Sequence, residues 1–256
     1  MTHTAIEFSN VSKKFNNAGY NAVDHVSLTI EEGEFITILG SSGCGKTTLL
    51  KMINRLYEPS GGTITLFGED IISVDVVKLR RRIGYVIQQV GLFPHMTIAE
   101  NVATVPKLLK WSKEKIDARV EELLYLVGLE HKEFNKRYPS ELSGGQQQRI
   151  GLARALAIDP KIMLLDEPFG AIDAISRMNL QEELLRIHGG LKKTFLFVTH
   201  DINEAFKLGT RVIIMNQGKI CQFDTPRNIV KNPADDFTSS LITASRNQER
   251  FWEGLD

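Results

Sequence analysis

"EFITILGSSGCGKTTLLKMINRLY", residues 34–57, decides the fold. An apolar run, a glycine turn and a helix start follow one another without a break. "GSSGCGKTT" comprises Gly40, Ser41, Ser42, Gly43, Cys44, Gly45, Lys46, Thr47 and Thr48, and matches G-x-x-x-x-G-K-[ST] directly after the strand-like "EFITIL". In that setting the backbone amides of the turn wrap phosphate groups, and the positive end of the helix favours their charge. Lys46 is expected to reach the β and γ phosphates, and the Thr47 hydroxyl to hold Mg²⁺. A tight surface turn would explain the glycines but not the flanks. Cys44 stands at a variable position and reads as a small filler. In the helix, Leu49, Met52, Ile53 and Leu56 are spaced for one buried face.

Upstream, "AIEFSNVSKKF" and "VSLTI" read as strands, and "GTITLF" follows downstream with turn residues between. "RIGYVIQQ" is a further strand ending near Gln88. From Thr97 to Ala157 the texture is helical: Ile116, Val120, Leu123, Leu124 and Val127 form a stripe that Gly128 stops. Strands return with "KIMLLDE" and "TFLFVTH", short apolar runs of the kind buried in parallel sheets. "RVIIMNQGKI" predicts a hairpin turning at Asn216 to Gly218. Beyond Pro226 the tail reads as helical pieces anchored by Ile229, Val230, Phe237 and Leu241. The alternation of strand and helix predicts an α/β core.

Three further stretches carry chemistry. "KIMLLDEP" puts Asp166 at the carboxyl edge of a strand, where ligands of open α/β sheets bind, so Asp166 is expected to complete a Mg²⁺ shell through water. Glu167 is placed to orient or deprotonate an attacking water. A polar turn after a buried strand is the plain alternative, and it does not account for the phosphate loop upstream. "FLFVTHD" ends with His200 at the same kind of edge, positioned for a γ-phosphate or the attacking water. "LSGGQQQRIGLARALAIDP", Leu142 to Pro160, is a second glycine-rich helix start. Ser143 can cap it, while Gly144 and Gly145 let a ligand approach the backbone, yet no lysine sits among them.

The bulk numbers narrow the class. The chain has 256 residues, 31 basic and 31 acidic, and a formal charge of +0, so nothing suggests a global attraction to nucleic acid or anionic lipid. Two cysteines make no disulfide framework and fit a reducing compartment. The N-terminus lacks a basic region followed by an apolar stretch, and no apolar run approaches the roughly 20 residues that span a bilayer. A soluble cytosolic chain is expected.

In this order and at these separations, the phosphate loop, "LSGGQ", "LLDEP" and "VTHD" resemble the ATP-binding subunits of ABC transporters. The resemblance covers nearly the whole chain. It implies a P-loop NTPase core of the ABC ATPase type, with an antiparallel β edge and an inserted helical lobe. Residues 1–88 and 160–225 would form the core, 89–159 the lobe and 226–256 a helical tail. The family's signature, here Ser143, Gly144, Gly145 and Gln146, closes over the γ-phosphate held by a second copy, so the missing lysine would be the partner's Lys46. The resemblance makes Gln88 the Q-loop glutamine, touching Mg²⁺ and coupling to the membrane, in preference to Gln89. It makes Asp173 in "GAID" the D-loop aspartate. It places the adenine-stacking aromatic in "KKFNNAGY", at Phe15 or else Tyr20.

"KMINRL", "RRRIGYVIQQVGLFPHMTIAENVATVPKLLKW" and "LSGGQQQRIGLARALA" together look like the importers of quaternary-ammonium osmoprotectants such as glycine betaine, carnitine and choline. Many of those ATPases continue into paired CBS domains. The chain stops at Asp256, so that regulation is expected to be absent or cut off. The implied cofactors are ATP and Mg²⁺. The implied partners are a second copy, an integral membrane permease meeting Gly91 to Met96, and indirectly an extracellular substrate-binding protein, with no nucleic acid. The implied location is peripheral, on the inner face of the membrane. An importer of another small amine or amino acid competes with this reading. So does a non-transport ABC ATPase of DNA repair or translation, although repair members carry long coiled coils here and translation members two ATPase units. A binding module without turnover would have little use for Glu167 and His200.

Overall fold

The computed structural model describes residues 3–16, 19–88, 91–170 and 172–253, with side chains to residue 247 in the last helix. Gln89, part of "KKFNNAGY" and Ala171 of "GAID" lie outside the described residues. The chain divides into two contact units, Met1–Leu79 with Thr194–Asp256, and Arg80–Lys193.

In the first unit, β1 (Thr4–Lys14), β2 (Asn21–Glu31), β4 (Gly61–Leu66) and β5 (Glu69–Asp70) pair antiparallel in the order β2-β1-β4-β5. A second sheet contains β3 (Phe35–Gly40), with β8 (Thr194–Val198) and β9 (Arg211–Asn216) parallel to it on either side. All residues of β3 and β8 are buried, as their continuous apolar character requires. β10 (Lys219–Asp224) returns along β9 as a hairpin, with Gln217 at φ 47° and Gly218 at φ 81° giving the two positive-φ turn positions. The helices here are α1 (Lys46–Ile53), α8 (Ile202–Leu208), α9 (Pro226–Lys231) and α10 (Asp236–Glu253), while α2 (Val76–Arg81) runs across the boundary between the units.

The tail docks on a cluster of Leu39, Ala205, Val212, Ile214, Ile229 and Ile242, with Phe237 and Leu241 packed against it. Ile242 completes this set, whereas Val230 is half-buried. The expected α1 stripe also ends early. Leu49, Met52 and Ile53 are buried, but Leu56 is 46 % exposed. The helix stops at Ile53, and Arg55 at φ 52° turns the chain before Leu56 can join the face. Arg55 holds that turn by donating to the carbonyls of Ile71 and Val74 at 3.2 and 3.0 Å.

The second unit is built on a parallel pair, β6 (Ile83–Val86) and β7 (Ile162–Asp166), with Val86 beside Leu165. Between them lie α3 (Ile98–Leu108), α4 (Lys113–Leu126), α5 (His131–Phe134) and α6 (Gly144–Leu156), and no strand among the described residues. α7 (Ala174–Leu191) follows β7. The α4 stripe from Ile116 to Val127 is buried throughout. This unit is larger than the helical segment 89–159 because α6 lies hard against β6. A Cβ added at Gly84 would come within 2.4 Å of the Met163 sulfur and 2.8 Å of the Ala155 carbonyl oxygen.

Candidate functional site

In each unit the carboxyl edge of the parallel strands gathers the polar groups. In the first, β3 runs into the phosphate loop and β8, in register with it at Ile38 and Val198, leads to His200. The loop depends on two glycines. A Cβ at Gly40 would stand 2.1 Å from the Met215 carbonyl oxygen. Gly45, the N-cap of α1, has φ 108°, and a Cβ there would stand 2.2 Å from the Ala22 oxygen. Lys46 is buried, and its Nζ donates to the carbonyls of Gly40 and Ser41 at 2.8 and 2.9 Å. A phosphate oxygen is a stronger acceptor for that ammonium than either neutral carbonyl. Cys44 is buried inside the loop, as a filler should be, and burial pushes its thiol up despite the nearby Lys46.

His200 is exposed between two anchored neighbours. The Thr199 hydroxyl donates to the buried Glu204 carboxylate at 2.7 Å and accepts the Asp201 N–H at 3.0 Å. Asp201 in turn caps α8 through the amides of Asn203 and Glu204.

In the second unit, Asp166 closes β7 and is only 7 % exposed. The Tyr85 phenol, from β6, donates to its Oδ2 at 3.2 Å. Glu167 follows at φ 46°, a left-handed backbone uncommon for a residue with a side chain. That reversal separates its direction from that of Asp166. Gln88 lies just past the end of β6, and a Cβ at Gly170 would come within 3.2 Å of its Nε2. The glutamine amide therefore lies over the backbone that follows Glu167. Asp173 caps α7, its Oδ1 accepting the Ser176 N–H at 3.0 Å, and that bond holds its carboxyl below the usual range.

The α6 start is a capping box. Ser143 Oγ accepts the Gln146 N–H at 3.3 Å, and Gln146 Oε1 accepts the Ser143 N–H at 2.9 Å. Gln146 is therefore engaged in shaping the helix end. A Cβ at Gly144 would meet nothing within 4 Å, so the backbone there opens onto free space.

The two aromatic candidates differ in setting. Phe15 is 37 % exposed and packs edge-on against Tyr57, ring centres 5.2 Å apart. Tyr20 lines a cavity of about 400 Å³ together with Gly43 of the phosphate loop, Asn21, Ala22 and Gly218.

Residues 23–170 match the family model described as ABC transporter. The chain belongs to the ABC transporter family. Among ABC transporter relatives it is 55 % identical to the carnitine transport ATP-binding protein OpuCA of Listeria monocytogenes, over 94 % of this chain and 60 % of that protein. It is 51 % identical to the glycine betaine uptake system ATP-binding protein YehX of Escherichia coli K12, over 94 % of this chain and 77 % of that one. The chain thus spans about three fifths of OpuCA. A solved ABC transporter cassette, MJ0796 as a dimer in a post-hydrolysis state with ADP and Pi, superposes with a TM-score of 0.76 at 36 % identity, covering 87 % of this chain and 99 % of that one. The expected ABC-type α/β fold is therefore present.

Tyr85, Thr199 and Glu204, which brace these polar edges, were not among the residues singled out in the sequence, nor was Gly170 beside Gln88. A lone tyrosine in the apolar run "IGYVI" was the one available signal. The metal donors expected for an ABC transporter, Thr47, Gln88 and Asp166, offer hydroxyl, amide and carboxylate oxygens, hard ligands that suit Mg²⁺. Among the described residues no three His, Cys, Asp or Glu side chains group to hold an ion. Oxygen donors of this kind suit a hard cation that keeps waters or phosphate oxygens in its shell. No helix among the described residues is long and apolar enough to cross a membrane.

Proposed function

We propose that this chain is the ATP-hydrolysing subunit of an importer for quaternary-ammonium osmoprotectants, working as a pair of copies closed around two Mg-ATP. The arrangement of α6 supports this most directly: a capped helix start, open at Gly144, with no lysine in its first turn. The backbone amides of such an end can meet a phosphate, and Lys46 of a second copy would supply the cation that its first turn lacks. Lys46 and the loop amides hold the β and γ phosphates, and Ser143, Gly144 and Gly145 of the other copy close over the γ phosphate. Glu167 accepts a proton from the attacking water, and His200 and Gln88 orient it. Thr47, Gln88 and Asp166 would hold Mg²⁺, which neutralises phosphate charge when bound. Phe15 stacks on adenine, with Tyr20 as the alternative. Asp173 contributes from the second copy.

The loop Gly91 to Met96 meets the permease, and the chain sits on the inner face of the membrane. An extracellular binding protein delivers the substrate. The identity to proteins named for carnitine and glycine betaine supports the substrate class.

The Glu167→Gln variant tests the hydrolytic reading. The amide keeps the shape but accepts no proton, and loss of a general base costs about 10² to 10⁴ in rate. ATP binding should persist while the variant elutes as a dimer in ATP. Turnover near wild type would remove Glu167 from the role. Uptake of labelled glycine betaine by cells whose only osmoprotectant importer contains this chain tests the substrate. No uptake of glycine betaine, carnitine or choline would overturn that assignment.

A further inference from the structure

The loop proposed to meet the permease has an exposed outer side, with Phe93 39 % exposed and Pro94 and His95 beside it. Among the described residues, two side chains of different kind, Asn101 and Arg154, tie its inner side. Asn101, fully buried on α3, accepts the Phe93 N–H at 2.8 Å and donates to the carbonyls of Phe93, Met96 and Thr97 at 3.1, 3.1 and 3.0 Å. This ties the loop to the helix that immediately follows it. Arg154 makes the second tie, from the last turn of α6. Its Nη1 donates to the Gly91 carbonyl at 2.8 Å, and its guanidinium carbon lies 5.8 Å from the centre of the Phe93 ring. This ties the loop to a different helix, the one whose first turn is the Ser143–Gly144 phosphate-binding end.

We infer that Arg154 is a positioning residue that couples the signature helix to the permease-facing loop. The inference rests on the permease reading proposed above. α6 is a hydrogen-bonded rod that rises about 1.5 Å per residue, so its first turn and Arg154 move together. A displacement of the helix as its N-terminus meets the second copy's ATP is passed to the Gly91 carbonyl and Phe93. Arginine suits the task because its planar fork can bond a carbonyl edge-on while its face lies toward an aromatic ring. A lysine can reach the carbonyl but offers no plane.

The test compares Arg154→Ala and Arg154→Lys, each as the isolated chain and assembled with its own permease in vesicles, with glycine betaine as the transported probe. In the isolated chain, Arg154→Ala should leave ATP turnover within about 2-fold of wild type. In the assembled importer, substrate moved per ATP hydrolysed should fall by about 5- to 10-fold, within the range of measured coupling energies. Arg154→Lys should recover part of the loss. Unchanged transport per ATP in Arg154→Ala would overturn the inference. So would a parallel fall of isolated turnover and transport, since that marks a merely structural role. A His95→Cys variant with Arg154 intact tests the underlying reading separately. If that cysteine cannot be cross-linked to the permease, the docking reading and the coupling both fall; if it cross-links while Arg154→Ala transports normally, only the coupling falls.

Discussion

The Tyr85 hydroxyl and the Asp166 carboxylate meet at 3.2 Å across the parallel strands β6 and β7. The phenol comes from a strand 81 residues earlier in the chain and donates to the carboxylate assigned to the metal shell. A single hydrogen bond of this length contributes about 1 kcal/mol net. Tyr85→Phe removes only that oxygen. Its thermal stability should fall by about that amount, and ATP affinity should stay unchanged. The maximal turnover should drop by a few-fold, with more Mg²⁺ needed for half-maximal rate. A turnover and Mg²⁺ dependence identical to wild type would show that the bond is only structural.

Gly45→Ala tests the phosphate loop through its backbone. The added methyl would lie 2.2 Å from the Ala22 oxygen, at a φ of 108° that side chains rarely adopt. Left-handed strain costs about 1 to 3 kcal/mol before the clash is counted. Titration with ATP should show binding lost or weakened by at least about 10-fold. Normal affinity would mean that the loop is not the nucleotide site.

The opposite outcome is expected at Gly144. A side chain there meets nothing within 4 Å, and an acid in the first turn of a helix is favourable. Gly144→Asp should therefore melt close to wild type and bind ATP at its own loop, yet not hydrolyse it. Its carboxylate would face the second copy's γ phosphate. Two like charges about 4 Å apart repel by about 4 kcal/mol at an effective dielectric near 20. Mixed with Lys46→Ala, which lacks the phosphate cation, it forms dimers in which one site carries both defects and the other neither. Activity recovered from the two inactive proteins supports the shared site. A wild-type chain that hydrolyses ATP as a monomer, at a specific rate independent of concentration, would sink it.

Cys221 should be nearly inert. Burial, and then its hydrogen bond to Asp235, push its thiol up to about 11. At pH 8 its thiolate fraction is then about two orders of magnitude below that of a free cysteine, whose value lies near 8.5. Reactivity should rise tenfold per pH unit up to the shifted value. Mass spectrometry of iodoacetamide-treated folded protein checks this. Alkylation of Cys221 at pH 8 as fast as in the unfolded chain would contradict it.

The fold class, the glycine-rich loop after β3 and the order of the polar stretches were legible in the amino-acid sequence alone. Those features are local: G-x-x-x-x-G-K-[ST] needs only eight consecutive residues, Gly40 to Thr47, and its flanks, and an apolar run such as "FLFV" reads as a buried strand wherever it lies. The α4 stripe was equally legible, because 3.6-residue periodicity is written in neighbouring positions. Only the tertiary structure decided what depends on register between distant segments. Tyr85 reaches Asp166 because β6 pairs with β7 at that offset, and Arg154 reaches Gly91 because α6 packs against the same pair. Leu56 left its stripe when Arg55 took a positive φ, and Glu167 turned from Asp166 by the same device. Tyr20 came to line the cavity beside Gly43 through a loop whose path no spacing rule specifies. Side-chain periodicity reports which face is buried, whereas pairing offset and backbone sign report which group that face will meet, and the latter are settled by packing the whole chain.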